Sequence, residues 1–274
     1  MNRSGSLYIE KESLFHRLDG STKFLVLIGW TSFIFMFMDI RIFLVMTILG
    51  FGFLKVSKIP FRNIKPLTVF VMIFSIINSA MLILITPEYG SELSGTYTVL
   101  FEMFGKSATY ETVFYALTLS MKYISILPIT LLFVFTTHPS RFASSLNRIG
   151  VSYRVAYAVN IAFRYIPDVK DEMFTIMNAQ EARGVAFRKG DASLPTRLRN
   201  FVTILVPLLI SSLNRIEVVS NAMQLRGFGL NKKRTWFNQK NMVIADWAVI
   251  GVVILCVLLG IYMKNNMSYF WVLN

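Results

Sequence analysis

One cysteine, Cys256, in 274 residues leaves no partner for an intrachain disulfide and no thiolate cluster for a metal. Histidine is nearly as scarce. His16 and His138 stand far apart, a poor stock for metal ligation or general-base chemistry. No Gly-x4-Gly-Lys-Ser/Thr loop occurs, so ATP binding of that kind is excluded. Nothing resembles a nucleophile–base pair or a paired-carboxylate site, so neither catalytic activity nor a cofactor is expected. Charge is thin as well: 16% of residues are charged and 54% hydrophobic, whereas soluble domains carry about 25% charged. Mean hydropathy is +0.55. Twenty-four Phe and fourteen Met suit lipid-facing and adaptable apolar surfaces. An ordinary soluble domain is excluded, and an all-α polytopic membrane protein is predicted. The N-terminus carries Glu10, Glu12 and Asp19 and lacks the apolar core and small-residue cleavage site of a signal peptide. The first hydrophobic run is therefore expected to stay in the mature protein.

What is present comes in apolar runs. Phe24 to Met38 and Ile42 to Leu54 are parted only by Asp39-Ile40-Arg41. Each falls short of the roughly 20 residues that cross a bilayer; flanking residues extend both, and the break reads as a tight helical hairpin. Leu67 to Ile85 follows Pro66, a residue suited to the first turn of a helix. Thr112 to Phe135 contains Lys122 and Pro128, and Trp247 to Met263 follows Asp246. About five transmembrane helices result.

The segments between the runs set an orientation. The N-terminal stretch holds Arg3, Lys11, Arg17 and Lys23. The second connection holds Lys55, Lys58, Arg62 and Lys65 with no acid. The connection from Thr86 to Glu111 has Glu88, Glu92, Glu102 and Glu111 against Lys106 alone, and Thr136 to Ala245 is rich in Lys and Arg. Basic segments stay cytoplasmic. The N-terminus and residues 136–245 are thus expected inside, the acidic connection and the C-terminus outside, in the cell membrane. The net charge of +13 is largely this topology signal, so no nucleic-acid partner is expected. Three parts follow: residues 1–135 with the first four spans, a cytoplasmic helical domain at 136–245, and a last span in 246–274. Within the acidic connection, Tyr97–Phe104 reads as a short interfacial helix.

The cytoplasmic part is helical by pattern. Pro139-Ser140 starts a short helix, Arg141 to Ile149, stopped by Gly150. Ser152 to Tyr165 carries Tyr153, Tyr157 and Ile161 on one face. Pro167-Asp168 opens another helix with a Val169, Met173, Ile176, Met177 stripe, ending at Gly184. After a polar turn, Phe187-Arg188-Lys189-Gly190-Asp191, a long helix runs from Ser193–Pro195 to Leu225 or Arg226. Its apolar stretch, Phe201 to Leu213, is too short to span and reads as a buried or interfacial helix, or as part of an extra span. The two long helices end alike, in Ala182-Arg183-Gly184 and Leu225-Arg226-Gly227. Glycine there takes the left-handed cap and leaves the Arg at the tip; an ordinary cap is the bland reading of each. Among single residues, Lys122 is expected to face a polar cavity or pair with an acid, Arg164 to cap a helix end or meet lipid headgroups, and His16 and His138 to be ordinary interfacial residues.

These residues resemble the transmembrane T component of energy-coupling factor (ECF) transporters, the family that includes the cobalt-transport Q protein. Three features carry the likeness: the lead-in Ser13-Leu14-Phe15-His16-Arg17-Leu18-Asp19-Gly20-Ser21-Thr22-Lys23, the Ala182-Arg183-Gly184 end, and the Leu225-Arg226-Gly227 end. Two departures stand out: Gly20-Ser21 in place of the family's Pro-Arg, and Leu225 where the first motif has Ala182. The resemblance implies a coupling subunit of an ABC-type importer. Two ATPase subunits would dock on Arg183 and Arg226, and a membrane-embedded S component would capture a vitamin or metal ion. Arginine suits docking, being always charged and offering a planar fork of donors. The competing readings are a stand-alone secondary transporter, for which inverted repeats are wanting, and a membrane-anchored enzyme or lipid-binding protein.

Overall fold

The computed structural model describes residues 8, 9, 11, 13–103, 106–187, 190, 192–231, 234–236 and 242–266. They form two compact units, residues 8–138 with 242–266, and residues 139–236.

The first unit is a helical membrane bundle. Its elements are α1 (Leu14–Arg17), α2 (Gly20–Met36), α3 (Ile40–Val56), α4 (Phe61–Ile85), α5 (Tyr89–Ser94), β1 (Val99–Met103), β2 (Lys106–Thr109), α6 (Tyr110–Thr136) and α10 (Ile244–Asn266). The hairpin at 39–41 forms as its residues dictate. The Asp39 carboxylate caps α3 by accepting from the Arg41 N–H at 2.9 Å and pairs with the Arg41 guanidinium at 2.7 Å. α6 packs against α2, α3 and α4 and is the centre of the unit. In lipid the apolar transfer term that drives soluble folding is absent, so close approach and internal hydrogen bonds hold such a bundle. Both are present. Ser125 of α6 donates to the Phe43 carbonyl at 2.8 Å, shares a 2.8 Å bond with Thr47, and offers its own carbonyl to Trp30 Nε1 at 3.1 Å. A Cβ on Gly29 of α2 would lie 2.3 Å from Val253 Cγ1 of α10, so this contact requires glycine.

The lead-in from Ser13 to Lys23 is tied to the end of α6 and the start of α10. Asp246, 1% exposed, accepts from the Asp19 backbone N–H at 2.9 Å and from Val243 N–H at 2.9 Å. The Lys23 ammonium donates to the carbonyl of Thr136, the last residue of α6, at 2.7 Å. That satisfies a carbonyl left over at a helix C-terminus with a cation suited to it.

Among the described residues, four helices are long and apolar enough to cross a membrane: α4, α6, α9 and α10 over Ile244–Lys264; α2 is apolar but shorter. Much of the surface of α4 and α10 is exposed Phe, Ile, Leu and Val, as a lipid-facing bundle demands.

Two expectations here are corrected. Pro66 lies inside α4, because the helix begins at Phe61 and takes in the basic turn before it. Tyr97–Phe104 is not an interfacial helix: β1 pairs antiparallel with β2, Val99 opposite Thr109 and Met103 opposite Lys106, and Phe104 lies outside the described residues. The stretch is rich in aromatic and β-branched residues, which favour a pleated strand.

The second unit holds α7 (Pro139–Arg148), α8 (Tyr153–Ala182) and α9 (Leu194–Leu225). The expected break at Pro167 does not occur. Pro167 sits within α8, and so Arg164 caps no helix end. A proline costs one backbone donor, the one that would reach Phe163; contacts along α9 keep the helix continuous on either side. The long helix expected from Ser193–Pro195 to Leu225 or Arg226 is present as α9, with Phe201 to Leu213 in its middle.

Candidate docking surface

α8 and α9 run antiparallel, and contacts along their length fix the arrangement. At one end Phe187 packs on Phe201 with ring centroids 5.7 Å apart, and Arg197 Nε donates to the Phe187 carbonyl at 2.9 Å. Midway, Glu172 of α8 accepts from Ser211 of α9 and pairs with Arg215 at 2.5 Å, while the Arg215 guanidinium lies 5.6 Å from the Tyr165 ring. The Ser211 hydroxyl, acting against partial burial and joined by Arg215, holds the Glu172 carboxyl below its usual range. At the other end Phe228, just past α9, packs on Tyr153 and Tyr157 of α8 at 5.5 and 4.9 Å. Arg154 Nη2 donates to the Gly229 carbonyl at 2.9 Å.

Because the helices are antiparallel, their C-termini lie at opposite ends of the pair. The two ends share one geometry. In α8 the Val185 N–H donates back to Gln180 and the Gly184 N–H to Glu181, at 3.0 and 2.9 Å. In α9 the Phe228 N–H donates to Met223 and the Gly227 N–H to Gln224, both at 2.9 Å. This is the Schellman pair of bonds, which needs a left-handed residue just past the cap. Gly184 and Gly227 supply it at φ +85° and +67°. Arg183 and Arg226 are the cap residues themselves. Ala182, Arg183, Gly184, Leu225 and Arg226 are exposed, Leu225 to 89%. Neither guanidinium makes a hydrogen bond or ion pair among the described residues. Each tip thus presents a charged fork beside the negative end of a helix dipole, and Leu225 adds a bare apolar side chain at the second.

The two tips differ in their surroundings. Arg226 lines a cavity of about 620 Å³, walled also by Tyr153, Tyr157, Arg164, Arg234 and Trp236; Arg183 lies outside it. Of the polar turn between the helices, Arg188, Lys189 and Asp191 fall outside the described residues.

A family model, "CbiQ: Cobalt transport protein", matches residues 11–236. The chain belongs to the CbiQ family. Among its relatives, the energy-coupling factor transporter transmembrane protein EcfT of Lactococcus lactis subsp. cremoris is 27% identical over 270 residues, covering 94% of this chain and 96% of the relative. The EcfT of Bacillus selenitireducens is 28% identical over 256 residues (90% and 92%), and that of Bacillus subtilis 26% over 266 (92% and 95%). The expected T-component identity, EcfT/CbiQ-like, therefore holds, as does a multi-pass α-helical membrane protein. Among the described residues of this CbiQ-family chain, no group of three or more His, Cys, Asp or Glu could hold a metal ion.

Sequence reading found both tips but missed the residues that space them. Glu172 and Arg215 are 43 residues apart and carry no local signal. Lys122, flagged as an intramembrane charge, meets no acid among the described residues; its ammonium lies 4.6 Å from the centre of the Phe35 ring.

Proposed function

We propose that this chain is the transmembrane coupling subunit of an ECF-type importer, with an ATPase subunit docked at each of Arg183 and Arg226 and a membrane-embedded S component that binds the vitamin or metal ion. The observation that carries this reading is the duplicate tip. Two helices of one unit end in the same cap, Arg at the cap and Gly beyond it, at opposite ends of an antiparallel pair. Identical devices pointing to opposite ends suit two similar partners. The chain adds no catalytic step: closure of the ATPases pulls on the two tips and the α8–α9 pair transmits that motion. Choice of substrate falls to the S component. The basic unit lies in the cytoplasm with the N-terminus, and the C-terminus lies outside.

The test is affinity purification of the tagged protein in mild detergent, with mass spectrometry of what accompanies it. Two ATPase chains and a small membrane protein are expected. Arg183→Ala with Arg226→Ala should release the ATPases and abolish uptake while membrane expression persists, since both side chains are exposed. A protein that purifies alone and transports a solute in liposomes would overturn the reading.

A further inference from the structure

The charges on the membrane helices leave one cation without a counter-charge. α2, α3, α4, α6 and α10 together hold two acids, Glu111 and Asp246, both in a first helical turn. Each is already taken. Glu111 accepts from the Ser91 hydroxyl at 3.2 Å and the Thr98 N–H at 3.3 Å, and Asp246 from the Asp19 and Val243 N–H groups. Lys122 stands twelve residues past Tyr110 and fourteen before Thr136 in α6. At 1.5 Å per residue it is about 18 and 21 Å from the two ends, too deep for a lysine to snorkel to either surface. The ammonium of this half-buried residue lies 4.6 Å from the centre of the Phe35 ring, an attraction smaller than the cost of a charge at that depth. The second observation lies on α2. Ile28, Ser32 and Phe35 form an exposed stripe at i, i+4, i+7. The Ser32 hydroxyl makes no hydrogen bond among the described residues, and lipid tails offer it none. A small polar residue on a lipid-facing stripe lets two membrane helices approach closely and bond.

We propose that the seam between α2 and α6 receives a transmembrane helix of the S component, and that an Asp or Glu on that helix pairs with Lys122. The inference rests on the coupling reading and extends it to a contact inside the membrane. Charge complementarity commits the site to a carboxylate. Lipid phosphates lie at the membrane surfaces, half a span from Lys122, and the acids of this chain's own membrane helices are spent. A buried pair of this kind fixes the depth and rotation at which the incoming helix seats. Ser32, one turn from Phe35 on the same stripe, gives that helix a hydrogen bond and room for close approach.

The test uses the complex purified in mild detergent, with the S component and the ATPases quantified by mass spectrometry. Lys122→Met removes the charge and keeps the bulk. The proposal expects retention of the S component to fall about tenfold while the ATPases stay. The melting temperature of the chain purified alone should hold or rise, because an unpaired charge has left the membrane. A lysine that serves only this chain's own packing would give the reverse, a lower melting temperature with full retention. Ser32→Trp blocks the seam from an exposed position, so the fold tolerates it and the S component is lost. It decides the matter where Lys122→Met fails to insert. In a Cys256→Ser background, Ser32→Cys carrying a photoactivatable crosslinker should attach to an S-component span that contains Asp or Glu. Changing that acid to Lys should restore retention to Lys122→Glu. Full retention by either variant, a crosslink to lipid alone, or an S component with no acid in its spans overturns the proposal. An S component absent from the wild-type complex as well would overturn the coupling reading, and this inference with it.

Discussion

His16 shows how few side chains set the chemistry of the lead-in. Its Nε2 and Nδ1 bond the Ile9 carbonyl at 2.9 Å and the Ser13 hydroxyl at 2.7 Å, a set that suits the neutral ring. Burial, with Lys23 and Lys11 nearby, holds its pKa below the ordinary value even though the Ile9 bond acts the other way. The unfolded chain then takes up a proton first. Stability should be full above about pH 6.5 and fall as the pH drops below it toward the folded value. Thermal unfolding in detergent between pH 5 and 8 should show this slope, and His16→Gln should flatten it. At the tips the backbone sets the demand. Gly184→Ala or Gly227→Ala forces a side chain into the left-handed region at a cost of about 1 kcal/mol. Either should lower the melting temperature and weaken ATPase retention, while Arg183→Lys keeps the charge and weakens retention by losing the fork.

The α8–α9 pair is the element on which the proposal turns, and Glu172 is its central fastening. Glu172→Gln and Arg215→Gln in a double-mutant cycle should reveal a coupling of about 0.5–1 kcal/mol, as befits a pair still reached by water. Uptake should fall more than ATP hydrolysis, because the ATPases stay docked while the spacing of the tips loosens. Additive effects on stability with unchanged uptake would reduce the pair to a surface contact. The ends of α8 and α9 were legible in the sequence because a glycine cap is a local device, as was the Asp39 hairpin. Pro167 misled because its helix-breaking tendency is local and weak beside the contacts α9 makes along both halves of α8. The β1–β2 hairpin was missed for want of a tight-turn signature, and the cavity beside Arg226 gathers residues from positions 140 to 236 that no spacing rule joins.

At the scale of the whole molecule, the fate of α9 decides the topology. By length and composition it ranks with the spanning helices, yet α8, with Asp168, Lys170, Asp171 and Glu181, runs along it. Crossing would carry those charges into lipid or strip α9 of its partner, and would put Arg183 and Arg226 on opposite faces of the membrane. Docking of two cytoplasmic ATPases therefore requires that α9 stay on one side. In a Cys256→Ser background, Ser193→Cys and Leu230→Cys should both resist an impermeant thiol reagent in intact cells, while Glu92→Cys and Lys264→Cys react. Opposite behaviour of positions 193 and 230 would show a crossing and sink the two-tip reading.

The fastening at Glu172 and Arg215 sits midway between the tips, eleven residues from Glu172 to Arg183 and eleven from Arg215 to Arg226. At 1.5 Å per residue each arm is about 16 Å long. On the coupling reading proposed above, the helix pair would act as a balanced lever, the ion pair lying midway between end contacts that would have to yield. A rotation of about 10° between the helices would shift each tip by about 3 Å, in opposite senses. Two ATPases closing on one another would turn this lever from both ends at once, and a push from only one would tilt the unit without working it.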